Sequence, residues 1–176
     1  MTNKRVQELF QKAIDICSNN GYKPNGLIPY CFYSTDHTLF GRCIDYYNTR
    51  IHEHQSKIYI NKDFAKKATE NQVLEVLIHE CLHSSVGCKE GHKGKWKEAA
   101  EKLNKLYNLK IDSTEDYVDN NGNDILDEKS IAKYVLQCTN CGFKGYYRTK
   151  CKTIKNYNNG NYHCPVCNCS QFKLIR

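Results

Sequence analysis

The chain has no apolar run approaching the roughly 18 residues of a membrane span. Its start, MTNKRVQELFQKAIDIC, also lacks the uninterrupted apolar stretch of a signal peptide. No internal repeat is present, which excludes a solenoid or tandem array. Prolines number only three and 40% of residues are hydrophobic, so a disordered or polyproline chain is excluded and a core can form. Acidic residues are missing from residues 129–176, which carry nine Lys or Arg. These absences lead to the expectation of a cytoplasmic protein, with nucleoid association open to it, making no membrane contact and acting as a monomer.

What is present divides along the chain. The net charge of +7 lies wholly in the last 48 residues, because residues 1–128 hold 17 basic and 19 acidic side chains. A near-neutral body with a cationic tail points to a polyanion partner; the plainer reading is a solubilising surface. At 176 residues the chain is expected to form one domain with a small appendage. Its eleven cysteines are unlike a disulfide framework in a compartment that keeps thiols reduced, so metal ligation becomes the stronger reading.

Val6, Leu9, Phe10, Ala13, Ile14 and Cys17 recur at helical spacing and predict an amphipathic first helix. Three strand-like runs follow, at 27–34, 38–47 and 51–60, and predict an antiparallel meander. The run FAKKATENQVLEVLIHECLHSSVG is predicted helical in its second half, stopping at Gly87. A further helix is predicted from Lys95 to Tyr107, with Trp96, Ala99, Ala100, Leu103 and Leu106 on one side. The acidic, Asn-rich stretch 112–130 reads as a linker. Counting from Asp119 puts Asp124 where a calcium loop needs glycine, so an EF-hand is rejected. The expected division is a body over 1–111, the linker, and a cysteine-rich module over 131–176.

His79-Glu80-Cys81-Leu82-His83 is an H-E-x-x-H element. Helical residues four apart share a face, so both imidazoles can reach one zinc ion at about 2.0–2.1 Å. Glu80 lies beside that face, where it can take a proton from an attacking water and pass it to a leaving amine. Val73, Leu74, Leu77, Ile78 and Leu82 give the helix an apolar side, which favours an embedded site over a helix that is merely His-rich. A third ligand is needed. His92 is favoured, since glycines at 87, 91 and 94 let the chain reverse; Glu98 and Glu101 on the next helix are the alternatives.

Cys138-Thr-Asn-Cys141 and Cys164-Pro-Val-Cys167 are two C-x-x-C knuckles separated by 22 residues. Together they predict a closed tetrahedral zinc site, a zinc ribbon whose few aliphatic residues could hardly fold without metal. Two zinc ions per chain, one catalytic and one structural, are therefore expected. Cys17, Cys31, Cys43, Cys81, Cys88, Cys151 and Cys169 read as core or incidental thiols, with Cys169 or His163 as substitutes should the knuckle register differ. Between the knuckles, Lys144, Tyr146, Tyr147, Arg148, Lys150, Lys152 and Lys155 interleave aromatic and basic residues. That pattern suits phosphates and unpaired bases of single-stranded or distorted DNA, or else a small core with a solvated face.

LIHECLHSS, EGHKGKW and the four-cysteine ribbon, with LFGRCIDYYNTRIHEHQSKIYIN upstream, together resemble the SprT-like zinc metallopeptidases, which include the Spartan DNA–protein crosslink proteases. The resemblance implies an α+β fold: a minimal zincin-type body of N-terminal helix, small antiparallel sheet, H-E-x-x-H helix and following helix, then the ribbon. It implies His79, His83 and His92 as catalytic zinc ligands, Glu80 as the catalytic glutamate and Trp96 as the large aromatic after the third ligand. Lys93 departs from the glycine common in the family at that position. The implied function is a zinc endopeptidase acting on DNA-bound or DNA-crosslinked proteins. The alternative is a nucleic-acid-binding ribbon protein with an inactive protease-like body.

Overall fold

A computed structural model describes residues 1–35, 39–112, 117–118, 124–125, 132–147 and 149–176, with residue 89 described in its backbone alone. The fold is α+β and divides into two compact units, Met1–Leu126 and Asp127–Arg176. Most of the expected linker 112–130 lies outside the described residues. Among those it does include, Tyr117 and Ile125 are buried in the core of the first unit. No helix among the described residues is long and apolar enough to cross a membrane.

In the first unit, α1 (Asn3–Asn19) starts at Thr2, whose hydroxyl accepts the Arg5 amide. Its buried stripe is Val6, Leu9, Phe10, Ala13, Ile16 and Cys17. Ile16 takes the place expected of Ile14, which is only partly buried. Both satisfy a three-or-four spacing, and the helix is rotated so that Ile14 falls on the flank.

Strands β1 (Leu27–Ser34), β2 (Gly41–Asn48) and β3 (Glu53–Asn61) form one sheet. The order is β1-β3-β2, so the predicted meander is corrected: β2 and β3 are an antiparallel hairpin, but β1 runs parallel to β3. A meander would put β2 between its neighbours. Here the hairpin gives β3 one partner, and β1 takes β3's remaining edge. Alternation within a strand reports which face is buried and carries no record of the partner, so the sequence could not distinguish the two.

After the short helix α2 (Lys62–Lys67), capped by the Asn61 side chain, comes α3 (Glu70–Val86). Thr69 and Gln72 form a reciprocal capping box that fixes its start. Eleven of its residues are buried, including Glu75, Glu80, His83 and Ser84. A helix covered nearly all round is central to its fold, and α3 indeed packs against α1, β2, β3 and the next helix. The hydroxyls of Ser84 and Ser56 meet at 2.6 Å in the interior, so the α3–β3 contact leaves neither unpaired. The amide of Gly87, at φ 103, bonds to the His83 carbonyl and ends the helix.

The last helix among the described residues of this unit is α4 (Lys95–Tyr107), burying Trp96, Ala99, Ala100 and Leu103. Leu106, expected on the same side, is 58% exposed. Asn108 ends the helix in the left-handed conformation, and Leu109 and Ile111 on the returning strap join the core instead.

The second unit is a small antiparallel sheet, β4 (Tyr134–Cys138), β5 (Lys144–Tyr147) and β6 (Phe172–Leu174), in the order β5-β4-β6, with a short α5 (Lys152–Asn156). Its buried core is Leu136, Cys138, Ile154, Cys164 and Phe172. Among the described residues this is a small core for a unit of about 50 residues.

Phe10 is 2% exposed and lies in the main core. Phe10→Ala is expected to destabilise the first unit by about 3–5 kcal/mol, read from the denaturant midpoint of its unfolding. A loss below about 1 kcal/mol would show that this core tolerates the cavity.

Candidate metal centre

Because α3 places residues 79 and 83 one turn apart, their rings leave the helix on the same side. His92 arrives from the opposite direction. Gly87 and Gly91, at φ 103 and 62, bracket a one-turn 3-10 segment, Cys88–Glu90, that reverses the chain after α3. The three Nε2 atoms then converge: 3.2 Å between His79 and His83, 3.0 Å between His83 and His92, and 2.9 Å between His92 and His79. Trp96, on the first turn of α4, backs all three rings with centroids at 4.7, 5.5 and 4.7 Å.

The protonation state follows from the surroundings. His79 Nδ1 donates to the Asp112 carbonyl at 2.9 Å, which leaves the Nε2 lone pair facing the other rings. Burial, then the neighbouring His83 and His92, push the His79 pKa down to about 3. Burial and His92 bring His83 down to about 4, and His92 is lowered as well, chiefly by burial. With His83 and His92 in the same tautomer as His79, three neutral imidazoles aim lone pairs at one point and repel unless a cation sits between them. Tetrahedral zinc at 2.0–2.1 Å would hold its ligand nitrogens about 3.3 Å apart, close to the spacing observed. The donor set fits a zinc ion, and neutral rings are the form that binds one.

The Asp112 carbonyl is delivered by a strap that two side chains hold. Asn104 of α4 clamps Ile111 at both ends, accepting its amide at 2.7 Å and donating to its carbonyl at 2.9 Å. Glu75, one turn before His79 on α3, accepts the Lys110 amide at 2.9 Å. Neither residue has a recognisable motif, and the group presented to His79 is a backbone carbonyl that any amino acid supplies. No sequence signal could have found this support.

Glu80 is 6% exposed and lies against Gly41 at the start of the edge strand β2. A Cβ at position 41 would stand 2.6 Å from Val76 Cγ1 and 2.8 Å from Glu80 Oε1. The absence of a side chain there makes the space the carboxylate occupies. The alternative ligands Glu98 and Glu101 are both exposed on α4, where Glu101 faces Lys97 at 3.8 Å; the converging group contains neither.

In the second unit the four knuckle thiols come together, with Cys138–Cys167 and Cys141–Cys164 sulfur distances of 3.6 and 3.5 Å. Hydrogen bonds from Asn140 and the Cys169 amide pull Cys167 down to about 6. Cys141 is pushed up to about 12: the Phe143 amide favours its thiolate, but the Cys167 sulfur, burial, and the Cys164 and Cys138 sulfurs together outweigh it. Four sulfurs that cannot all ionise alone suit a dication. Cys169 is not one of them; its sulfur accepts the Gln171 amide at 3.3 Å, and its carbonyl accepts Cys164 N–H. His163 also stands outside the group.

Of the residues expected to contact nucleic acid, Lys144, Lys150, Lys152 and Lys155 are exposed and Tyr146 is half-buried. Arg148 lies outside the described residues. Tyr147 packs on the ribbon's core and shares a 2.8 Å hydrogen bond with the Tyr162 hydroxyl, so its ring serves the fold first.

The sequence model of the SprT-like family matches residues 6–115. No curated protein and no solved structure matches the chain significantly.

Burial raises the Glu75 pKa, against the lowering effect of the Lys110 amide. The native state therefore binds that proton more readily than the unfolded chain. The stabilisation is full below the unfolded pKa and is lost as pH rises through the folded one. Glu75→Gln keeps an acceptor for Lys110 and removes the charge. Its melting temperature, compared with wild type, is expected to gain as pH goes from about 4 to about 7; a constant difference across that range would refute the buried charge.

Proposed function

The chain belongs to the SprT-like family, and from its converging imidazoles we propose that it is a zinc-dependent endopeptidase with a zincin-type body. The observation that carries this reading is the meeting of three ring nitrogens at 2.9–3.2 Å, two of them from an H-E-x-x-H element whose glutamate is buried. His79, His83 and His92 would hold the ion, leaving one corner for water or substrate. Zinc bound there supplies Lewis acidity, which makes water nucleophilic near neutral pH and polarises a peptide carbonyl.

The rest falls to the chain's own groups. Asp112 fixes the His79 tautomer through its carbonyl. Trp96 covers the backs of the rings, shielding them from water. Glu80 takes the proton of the attacking water and hands it to the departing amine. Its side chain is already confined between α3 and the bare backbone of Gly41, so little orientational freedom is lost on reaction.

The substrates we propose are proteins bound or crosslinked to DNA. The cationic second unit supports this: its exposed Lys144, Lys150, Lys152 and Lys155 can neutralise phosphates while the near-neutral first unit remains available to protein. Cys138, Cys141, Cys164 and Cys167 would hold a second, structural zinc that lets this unit fold.

Glu80→Gln is expected to keep the metal and lower cleavage of casein or histone by about 10²–10⁴-fold, with a chelator-treated wild type as the zero. Undiminished turnover would remove Glu80 from the mechanism. Single-stranded DNA binding should weaken steeply with salt, and replacing the four lysines by alanine should flatten the logarithmic slope by about 0.7 for each phosphate no longer neutralised. A slope that is shallow in wild type and unchanged in the variant would refute the DNA association while leaving the peptidase reading intact.

A further inference from the structure

Cys43 and Cys88, taken from the sequence as incidental thiols, stand together with Asp45 in a group the two zinc sites do not use. Cys43 and Asp45 are two apart on β2 and so project from the same face as Gly41. That row begins where Gly41 meets Glu80 and runs beside α3. Cys88 comes to it from the 3-10 segment after α3, and its amide bonds to Asp45 Oδ2 at 3.4 Å. The two sulfurs and a carboxylate oxygen all lie within 4.8 Å of one another, with both cysteines half-buried and Asp45 exposed.

We propose that Cys43, Asp45 and Cys88 form a third metal site, for zinc or a similarly soft divalent cation, which ties the His92-bearing turn to β2. The donors decide the class of ligand. Two thiolates favour a soft or borderline ion over magnesium or calcium, and three protein ligands leave a fourth position for water.

The electrostatics favour a cation over a reactive thiol pair. A nucleophilic or readily oxidised cysteine needs positive surroundings that stabilise its thiolate. Here the neighbouring charges have the opposite sign: Cys43 is raised well above the usual thiol range by its contact with Cys88, by burial, and by the charges of Cys88, Glu80 and Asp45. The same negative groups become an attraction once a dication arrives. The segment that carries Cys88 lies between Gly87 and Gly91, so the polypeptide has freedom there that a bound ion would remove, and His92 follows directly.

The test is zinc content of the full chain after equilibrium dialysis against buffered free zinc, comparing wild type with the Cys43→Ser/Cys88→Ser double variant. Wild type should retain one zinc per chain more than the variant. Asp45→Asn, an exposed change that spares the fold, should weaken that extra site by at least the roughly tenfold that even outer-sphere partners cost. On wild type itself, zinc should protect Cys43 and Cys88 from iodoacetamide in a peptide map. Equal zinc content in wild type and double variant, or equal alkylation of both cysteines with and without zinc, would overturn the site, as would a Cys43–Cys88 disulfide in the zinc-replete protein. The readout is a difference between chains that all keep His79, His83, His92 and Glu80, so it holds or fails independently of peptide cleavage.

Discussion

Three imidazole Nε2 atoms meet at 2.9–3.2 Å, an arrangement that a cation between them would stabilise, and much of the first unit is arranged to hold them there. Two of the rings need a helix that cannot rotate, and α3 is buried nearly all round by α1, the sheet and α4. The third needs a chain reversal within a few residues, which Gly87 and Gly91 provide. Trp96 then fills the space behind all three, so α4 is packed against the site as well as against the core. A cation at the centre would crosslink α3 to the turn that follows it.

The two units solve the same difficulty in different chemistry. The first has a substantial apolar core and brings three nitrogen donors together from α3 and the turn after it. Among its described residues the second buries a small apolar cluster beside four converging sulfurs. The nitrogen set is suited to leave a corner open, whereas four thiols fill a tetrahedron completely. Charge follows the same division, since the basic excess lies entirely in the chain's last 48 residues.

What could be read from the sequence was local. The helices at the H-E-x-x-H element and after it announce themselves through spacing within a single element, as do the two cysteine knuckles. The approach of His92 was foreseeable because glycines permit it. Partnership between distant segments was not: the parallel pairing of β1 with β3, the burial of Tyr117 against Phe40 and Phe64, and the strap that carries the Asp112 carbonyl to His79 all depend on tertiary packing. The same holds for Cys43 and Cys88, 45 positions apart, which look incidental until the turn after α3 folds back onto β2. Leu106 shows the converse, an apolar residue in the right phase left exposed because its helix ends there.

Gly41 has no functional group to offer, yet the carboxylate of Glu80 and a methyl of Val76 fill the volume where any side chain would begin. Its contribution is emptiness. Inventories of reactive groups would pass over this position, and even the mildest drift, one methyl, would intrude where the glutamate rests. The outline of the space that Glu80 occupies is thus drawn partly by an atom that must never be added.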